Sequence, residues 1–243
     1  MVITSLENNK VKELVKLQKK KYRDLTDCYV VEGMHLVEEA FKRGVVLEVF
    51  QLEGVEEVFP NTFYVSEEVM KKISFMDTPS SIIALCKKIK YTEILGDKGL
   101  LLDEIQDPGN LGTIIRSAVA FGMDFIILSN QSVDLYNPKV LRATQGLYCH
   151  IPILTMDIMD AVRELKNKHF LLYGTNVVDG VEASSLSLEE KSHFCLVMGN
   201  EGRGVLEEIQ KLCDKNLYIP MNKKVESLNV GVACSILLYE LGR

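Results

Sequence analysis

The 243-residue chain has no tryptophan, four histidines and no excess of positive charge, its formal net charge being −6. Its six cysteines (Cys28, Cys86, Cys149, Cys195, Cys213 and Cys234) never lie two to four apart, which excludes the usual zinc spacings. Several sit in apolar runs, as Cys195 does in HFCLVMG, and read as reduced, buried thiols. His35, His150, His169 and His193 are scattered and form no ligand pair at helical spacing, so no metal is expected. No apolar run reaches the roughly 18–20 residues that span a bilayer, and MVITSLENNKVKELVK lacks an apolar signal core. These absences point to a cytoplasmic protein without a membrane partner. The G-x-G-x-x-G fingerprint is missing too, which argues against a dinucleotide-dependent oxidoreductase and against the common Rossmann methyltransferases. There is no internal repeat and no low-complexity segment.

What is present is a chain built to fold: 47% of residues are hydrophobic and 26% charged, enough apolar surface for a core and too little charge for disorder. The charge is unevenly placed. Residues 1–23 hold seven basic side chains (Lys10, Lys12, Lys16, Lys19, Lys20, Lys21, Arg23) against Glu7 and Glu13, whereas residues 91–243 hold 14 basic and 20 acidic. A basic N-terminal segment on an acidic protein suggests an arm that meets phosphates, with a solvated helix face as the plainer reading.

Residues 1–91 alternate short strands (CYVVEG, LEVFQLEG, FYVS, SIIALCKK) with helical patterns (NNKVKELVKLQKKKYR, MHLVEEAFKRG, SEEVMKKISF), the last opening on a serine N-cap followed by two acids. This predicts a small α/β domain. The polar, glycine-containing stretch at 92–98 predicts a linker. From residue 99 to 243 the strands become uniformly apolar (LLLDEI, DFIILSN, FLLYGTN, FCLVMGN, NLYIPM) and are separated by helices, as in a parallel sheet covered on both faces.

Three segments of this second part carry chemistry. In LLLDEIQDPGNLGTIIRSAVAFG a strand turns at Pro108-Gly109-Asn110 into a helix whose N-terminus can face an anion. Arg116 follows among the apolar Ile114, Ile115 and Ala118; a snorkelling or core-paired arginine is the plain alternative to a functional one. In LVMGNEGRGV an apolar strand ends in Gly199-Asn200-Glu201-Gly202-Arg203-Gly204, at the edge where open α/β sheets bind ligands. In LYIPMNKKVESLNVGVACSILLYE, Ser227-Leu228-Asn229 precedes an apolar helix that Ser227 could cap. A weaker fourth stretch, NPKVLRATQGLYCHIP, places Arg142 before another glycine turn.

In order and spacing, Asn110 with Arg116, Gly199-Asn200-Glu201-Gly202 and Ser227-Leu228-Asn229 resemble the three signature motifs of the SpoU/TrmH family of RNA ribose 2′-O-methyltransferases. The segment NNKVKELVKLQKKKYRDLTDCYVVEGMHLVEEA also resembles the L30e-like substrate-binding domain attached to many members. The resemblance implies a C-terminal SPOUT α/β fold, a parallel sheet with a deep trefoil knot, behind that smaller α/β domain. It implies S-adenosylmethionine as cofactor, held by Thr175, Gly199, Asn200, Gly202, Ile219, Met221 and Leu228. It implies a homodimer, RNA as partner, and a catalytic group of Arg116, Asn110, Glu201, Ser227 and Asn229. Lys19, Lys20, Lys21, Arg23 and Arg142 are the candidate RNA contacts. MNKKVESLN departs from the pattern, since many relatives carry glycine before Val225. The expected reaction is methyl transfer to a ribose 2′-hydroxyl, on ribosomal RNA of the 23S type or alternatively on transfer RNA; a non-catalytic RNA-binding or ribosome-assembly module is the competing class.

Overall fold

The computed structural model describes residues 2–56, 58–177 and 180–242. The chain forms two compact units, Met1–Lys90 with Asp134–Cys149, and Tyr91–Val133 with His150–Arg243. The first unit runs β1 (Val2–Ile3), α1 (Asn9–Lys16), α2 (Lys20–Thr26), β2 (Cys28–Glu32), α3 (Met34–Lys42), β3 (Val46–Leu52), β4 (Thr62–Val65), α4 (Glu67–Ile73) and β5 (Ile82–Lys87). Its mixed sheet has the order β1-β4-β3-β5-β2. Val11 and Leu14 of α1 and Val69 and Ile73 of α4 bury their side chains with Phe50, Val65 and Ile83 of the sheet. Ser66 caps α4, its hydroxyl accepting from the Val69 N–H, and Glu67 and Glu68 fill the first turn.

The sequence predicts one helix over NNKVKELVKLQKKKYR; the structure breaks it into α1 and α2. Lys19 is extended, with φ −101° and ψ 131°. The break leaves the carbonyls of Leu17 and Gln18 without helical partners, and the Arg23 guanidinium donates to both, at 2.7 and 3.0 Å. The same guanidinium pairs with Asp134 at 2.7 Å and is only 4% exposed. Arg23 is therefore a structural arginine, unable to meet RNA phosphates, and leaves the set of RNA contacts.

The second unit begins with β6 (Lys98–Leu102), α5 (Pro108–Ala120) and β7 (Phe125–Ser129). The chain then contributes α6 (Pro138–Thr144) to the first unit, where α6 packs on β2. It returns with β8 (Ile153–Met156), α7 (Ile158–Asn167), β9 (Leu171–Thr175), β10 (Val181–Glu182), β11 (Phe194–Met198), α8 (Glu207–Gln210), β12 (Lys215–Tyr218) and α9 (Val230–Leu241). The sheet order is β10-β12-β9-β11-β6-β7-β8, with every neighbouring pair parallel. β7 and β11 are buried at every position, as a sheet covered on both faces requires.

These units differ from the expected boundaries 1–91, 92–98 and 99–243 in two places. Ile94, inside the expected linker, is 2% exposed and belongs to the core of the second unit, so its polar neighbours concealed an anchor. Residues 134–149 pack with the first unit because Tyr136 and Tyr148 seat against Tyr29, with ring centroids 4.5 and 6.1 Å away. The Tyr29 and Tyr148 hydroxyls are hydrogen-bonded at 3.0 Å. Nothing local in the 134–149 sequence encodes that long-range packing.

Candidate active site

Strand β11 ends at Met198 and the chain turns back on itself within six residues. Asn200 and Gly204 exchange two backbone hydrogen bonds, at 3.1 and 2.9 Å. A Cβ on Gly199 would lie 2.1 Å from backbone atoms of Gly204 and Val205, so only glycine fits. The Asn200 side chain ties the loop internally, accepting from the Gly202 N–H at 2.9 Å and donating to the Glu104 carbonyl at 2.9 Å. Glu104 sits in the left-handed region at φ 55° and pairs with Arg203 at 2.8 Å, joining the same two segments a second time. Neighbouring Asp103 is buried; burial pushes its carboxyl up from the ordinary value, and the nearby Arg203 charge only partly counters this.

This loop presents Glu201 to the start of α5. Its carboxylate accepts from the N–H groups of Gln106 (3.2 Å) and Asp107 (3.0 Å) and from the Asn110 amide (3.2 Å). The anion expected at this helix N-terminus is thus the protein's own glutamate. Asp107, not singled out from the sequence, is the N-cap of α5, accepting from the Asn110 N–H at 2.8 Å. The Asp-Pro pair at the helix start was the signal for it. Gly109 is not the tight turn expected but part of the first helical turn. Partial burial pushes the Glu201 carboxyl upward, but the donors around it (Asp107, its own N–H, Asn110 and Gln106) together hold it below the ordinary carboxylate range.

The third segment joins the same group. Asn229, not Ser227, caps α9: its Oδ1 accepts from the Gly231 and Val232 N–H groups at 2.9 and 3.3 Å. Its Nδ2 donates to Asn110 Oδ1 at 2.8 Å. The chain of contacts Glu201–Asn110–Asn229 thus draws all three segments into one polar cluster. Helices α5 and α9 pack side by side, with Ser117 and Ser235 hydroxyls 2.6 Å apart.

Beside this cluster lies a cleft of about 470 Å³ at the carboxyl ends of β9, β11 and β12. It is lined by Thr175, Gly199, Asn200, Gly202, Ile219, Met221 and Leu228, the seven residues expected to hold cofactor, and also by Glu201 and Ser227. Apolar walls from Met198, Val205, Leu217 and Ala233 suit a flat heterocycle, and the exposed glycine backbone suits its polar edges. Lys223 and Lys224 are exposed in the loop before Ser227, where Asn222 forms a turn by accepting from the Lys224 N–H at 3.0 Å.

Asn110, Asn229 and Arg116 do not line the cleft. Arg116 is exposed: Ile114, Ile115 and Ala118 turn to the core while Thr113 and Arg116 face out, so the apolar neighbours do not surround it. Among the described residues nothing pairs with its guanidinium. In the first unit Lys19, Lys21 and Arg142 are exposed, whereas Lys20 is paired with Asp24 at 3.0 Å. All six cysteines are free thiols, and among the described residues no cluster of His, Cys, Asp and Glu is placed to hold a metal. No helix of the described residues is long and apolar enough to cross a membrane.

The SpoU rRNA Methylase family matches residues 98–239. The chain belongs to this family. Residues 8–84 match the MRM3-like substrate binding domain. The 23S rRNA (guanosine(2553)-2′-O)-methyltransferase RlmP of Bacillus subtilis is 38% identical, with 98% of each chain covered. An AdoMet-bound rRNA methyltransferase from Sinorhizobium meliloti is 29% identical, with a TM-score of 0.89 over 99% of this chain and 97% of that one. The SpoU methyltransferase AviRb from Streptomyces viridochromogenes, 23% identical with 98% of each chain covered, shares the fold at a TM-score of 0.85. The expected fold is therefore present: a SPOUT methyltransferase unit, in which a deep trefoil knot is typical, behind a separate N-terminal α/β domain.

Proposed function

We propose that this chain transfers a methyl group from S-adenosylmethionine to a ribose 2′-hydroxyl of 23S-type ribosomal RNA, as a metal-free cytoplasmic homodimer. The observation that carries the reading is the convergence of Glu201, Asn110 and Asn229 in one polar cluster beside a cleft of cofactor size that Glu201 lines. The family match and the full-length likeness to RlmP support the reaction and the RNA class. The exposed apolar side chains Val232, Ile236 and Tyr239 of α9 support the dimer.

Bound in the cleft, S-adenosylmethionine supplies an electrophilic sulfonium methyl. The protein's part is positioning. Backbone at Thr175, Gly199, Ile219 and Leu228 would hold the cofactor, and the Glu201–Asn110–Asn229 cluster ties together the loops and helix starts beside the cleft. Holding the nucleophile and the methyl group in line contributes up to roughly 7–11 kcal/mol of barrier lowering. Arg116 is exposed and has no partner among the described residues, which leaves it able to bind the phosphate beside the target ribose, orient the 2′-hydroxyl and stabilise the alkoxide that develops. A planar cation that carries only donors suits this electrostatic role better than that of a free base. Mapping 2′-O-methylation across total RNA with and without the gene tests the assignment. One ribosomal ribose should lose its methyl group on deletion; an altered tRNA with unchanged rRNA would overturn the RNA class.

A further inference from the structure

The first unit carries a second cleft, of about 280 Å³, that the methyl-transfer site does not use. Its floor is Val30 and Val31 of β2, one wall is the loop after α4 with Phe75 and Met76, and the opposite wall is α6 with Lys139 and Arg142. The loop wall is fixed in advance. Glu32 accepts from the Ser74 hydroxyl (2.6 Å), the Phe75 N–H (2.8 Å) and the Ser80 N–H (3.0 Å). Ser74 also accepts from the Met76 N–H at 3.0 Å. Three of the roughly four acceptor positions of the Glu32 carboxylate are thereby taken by the protein. On the other wall Lys139 and Arg142 are exposed, and among the described residues neither side chain has a hydrogen bond or ion pair. Phe75 is half-buried, packs partly against the core of the first unit and lines the cleft. Asp77, also at the mouth, is the one carboxylate there that no hydrogen bond given above engages.

A half-buried aromatic and a thioether, with two cations that pair with no described residue, are the elements that bind an unstacked nucleotide: the ring takes the base, the cations take its phosphates. Taking the chain as an RNA methyltransferase, we propose that this cleft of the N-terminal unit captures one unpaired nucleotide of the substrate RNA, its base against Phe75 and Met76 and its phosphate on Lys139 and Arg142. The cleft selects single-stranded features of the RNA, apart from the nucleotide that is methylated.

The test uses the full chain, a labelled single-stranded RNA 12-mer of mixed sequence, and the same 12-mer annealed to its complement. Phe75→Leu keeps apolar volume and removes the ring; Phe75→Tyr keeps both. Phe75→Leu should weaken single-strand binding about ten- to a hundredfold with a normal melting temperature and little change on the duplex, and Phe75→Tyr should bind as wild type. Lys139→Gln with Arg142→Gln should lower the salt slope, by about 0.7 log units per lost phosphate contact. A 12-mer carrying 5-iodouridine should crosslink to the segment at 75–76. With ribosomal RNA as substrate, Phe75→Leu should raise KM with kcat little changed. Wild-type KM and affinity in Phe75→Leu, or crosslinks confined to residues 16–21, would overturn the cleft while leaving the methyltransferase reading intact. Loss of methyl transfer by the wild-type chain would instead overturn that reading.

Discussion

The Asn229 side chain donates to Asn110 Oδ1 over 2.8 Å while its own Oδ1 caps α9. One amide thus serves both helix stability and the arrangement of the site, and two substitutions separate the roles. Asn229→Ala should lose both, at about 1 kcal/mol of stability for the cap. Asn229→Asp retains a good capping oxygen but replaces the donor with a carboxylate facing Asn110 Oδ1. Its melting temperature should stay near wild type while methyl transfer falls at least tenfold. Wild-type activity in both variants would mean that Asn229 is only a cap.

Glu201 should set an acid limit for the site. Its carboxyl is held below the ordinary glutamate value of 4.5 by the surrounding N–H donors. A depressed carboxylate stabilises the fold above its unfolded-state value, and that stabilisation is lost as pH falls through the lowered folded-state value. Cofactor binding should therefore be level through neutral pH and decline only on the acid side of 4.5. Glu201→Gln keeps an acceptor for Asp107 and Asn110 but turns an NH₂ group toward the Gln106 N–H and removes the charge. It should weaken cofactor binding at every pH and remove that acid limb. Calorimetry across pH on both proteins checks this.

The N-terminal cations divide into two kinds. Arg23 is buried in a pair with Asp134, so Arg23→Ala should destabilise the protein by about 3–5 kcal/mol. RNA affinity per folded molecule should be little changed. Lys19 and Lys21 are exposed, with no pairing among the described residues; Lys19→Gln with Lys21→Gln should leave the melting temperature alone and reduce the salt slope of RNA binding by about 0.7–0.9 log units per lost contact. A stability loss in the lysine variant, or a steeper salt slope, would contradict this division.

Gly199 has no room for a side chain. Gly199→Ala should open the Asn200–Gly204 turn, lower the melting temperature and abolish cofactor binding together, because a Cβ would overlap backbone atoms at 2.1 Å. Retained cofactor binding would show that this turn does not shape the cleft.

Much of the second unit could be read from its residues because uniformly apolar strands such as FIILS and FCLVM leave little choice but a doubly covered sheet. Short elements escaped: β1 and β10 are two residues each, too short to show a period. The break between α1 and α2 escaped because it depends on Arg23 reaching back to two carbonyls and across to Asp134, 111 residues away. At the site, the order of the three segments was visible in the sequence, and the residues on the loops proved to share one cleft. The bonds that join them were not visible. That Glu201 is the anion at the start of α5, and Asn229 rather than Ser227 the cap of α9, follows from tertiary placement. Arg116 shows the opposite error: apolar neighbours in sequence suggested enclosure, yet helical periodicity turns them inward and leaves the guanidinium exposed.

The most direct test of the account is single-turnover methyl transfer by Arg116→Ala. The substrate is 23S ribosomal RNA from cells lacking the gene, and cofactor affinity and melting temperature are measured on the same preparation. Because Arg116 is exposed and pairs with no described residue, the variant should melt like wild type and bind S-adenosylmethionine equally well. Its turnover should fall roughly 100- to 1000-fold, the loss of about 2.7–4 kcal/mol from a transition-state contact. Arg116→Lys should recover little of this, since a point charge cannot reproduce the planar fork. Wild-type turnover in Arg116→Ala would contradict the account and remove Arg116 from the mechanism.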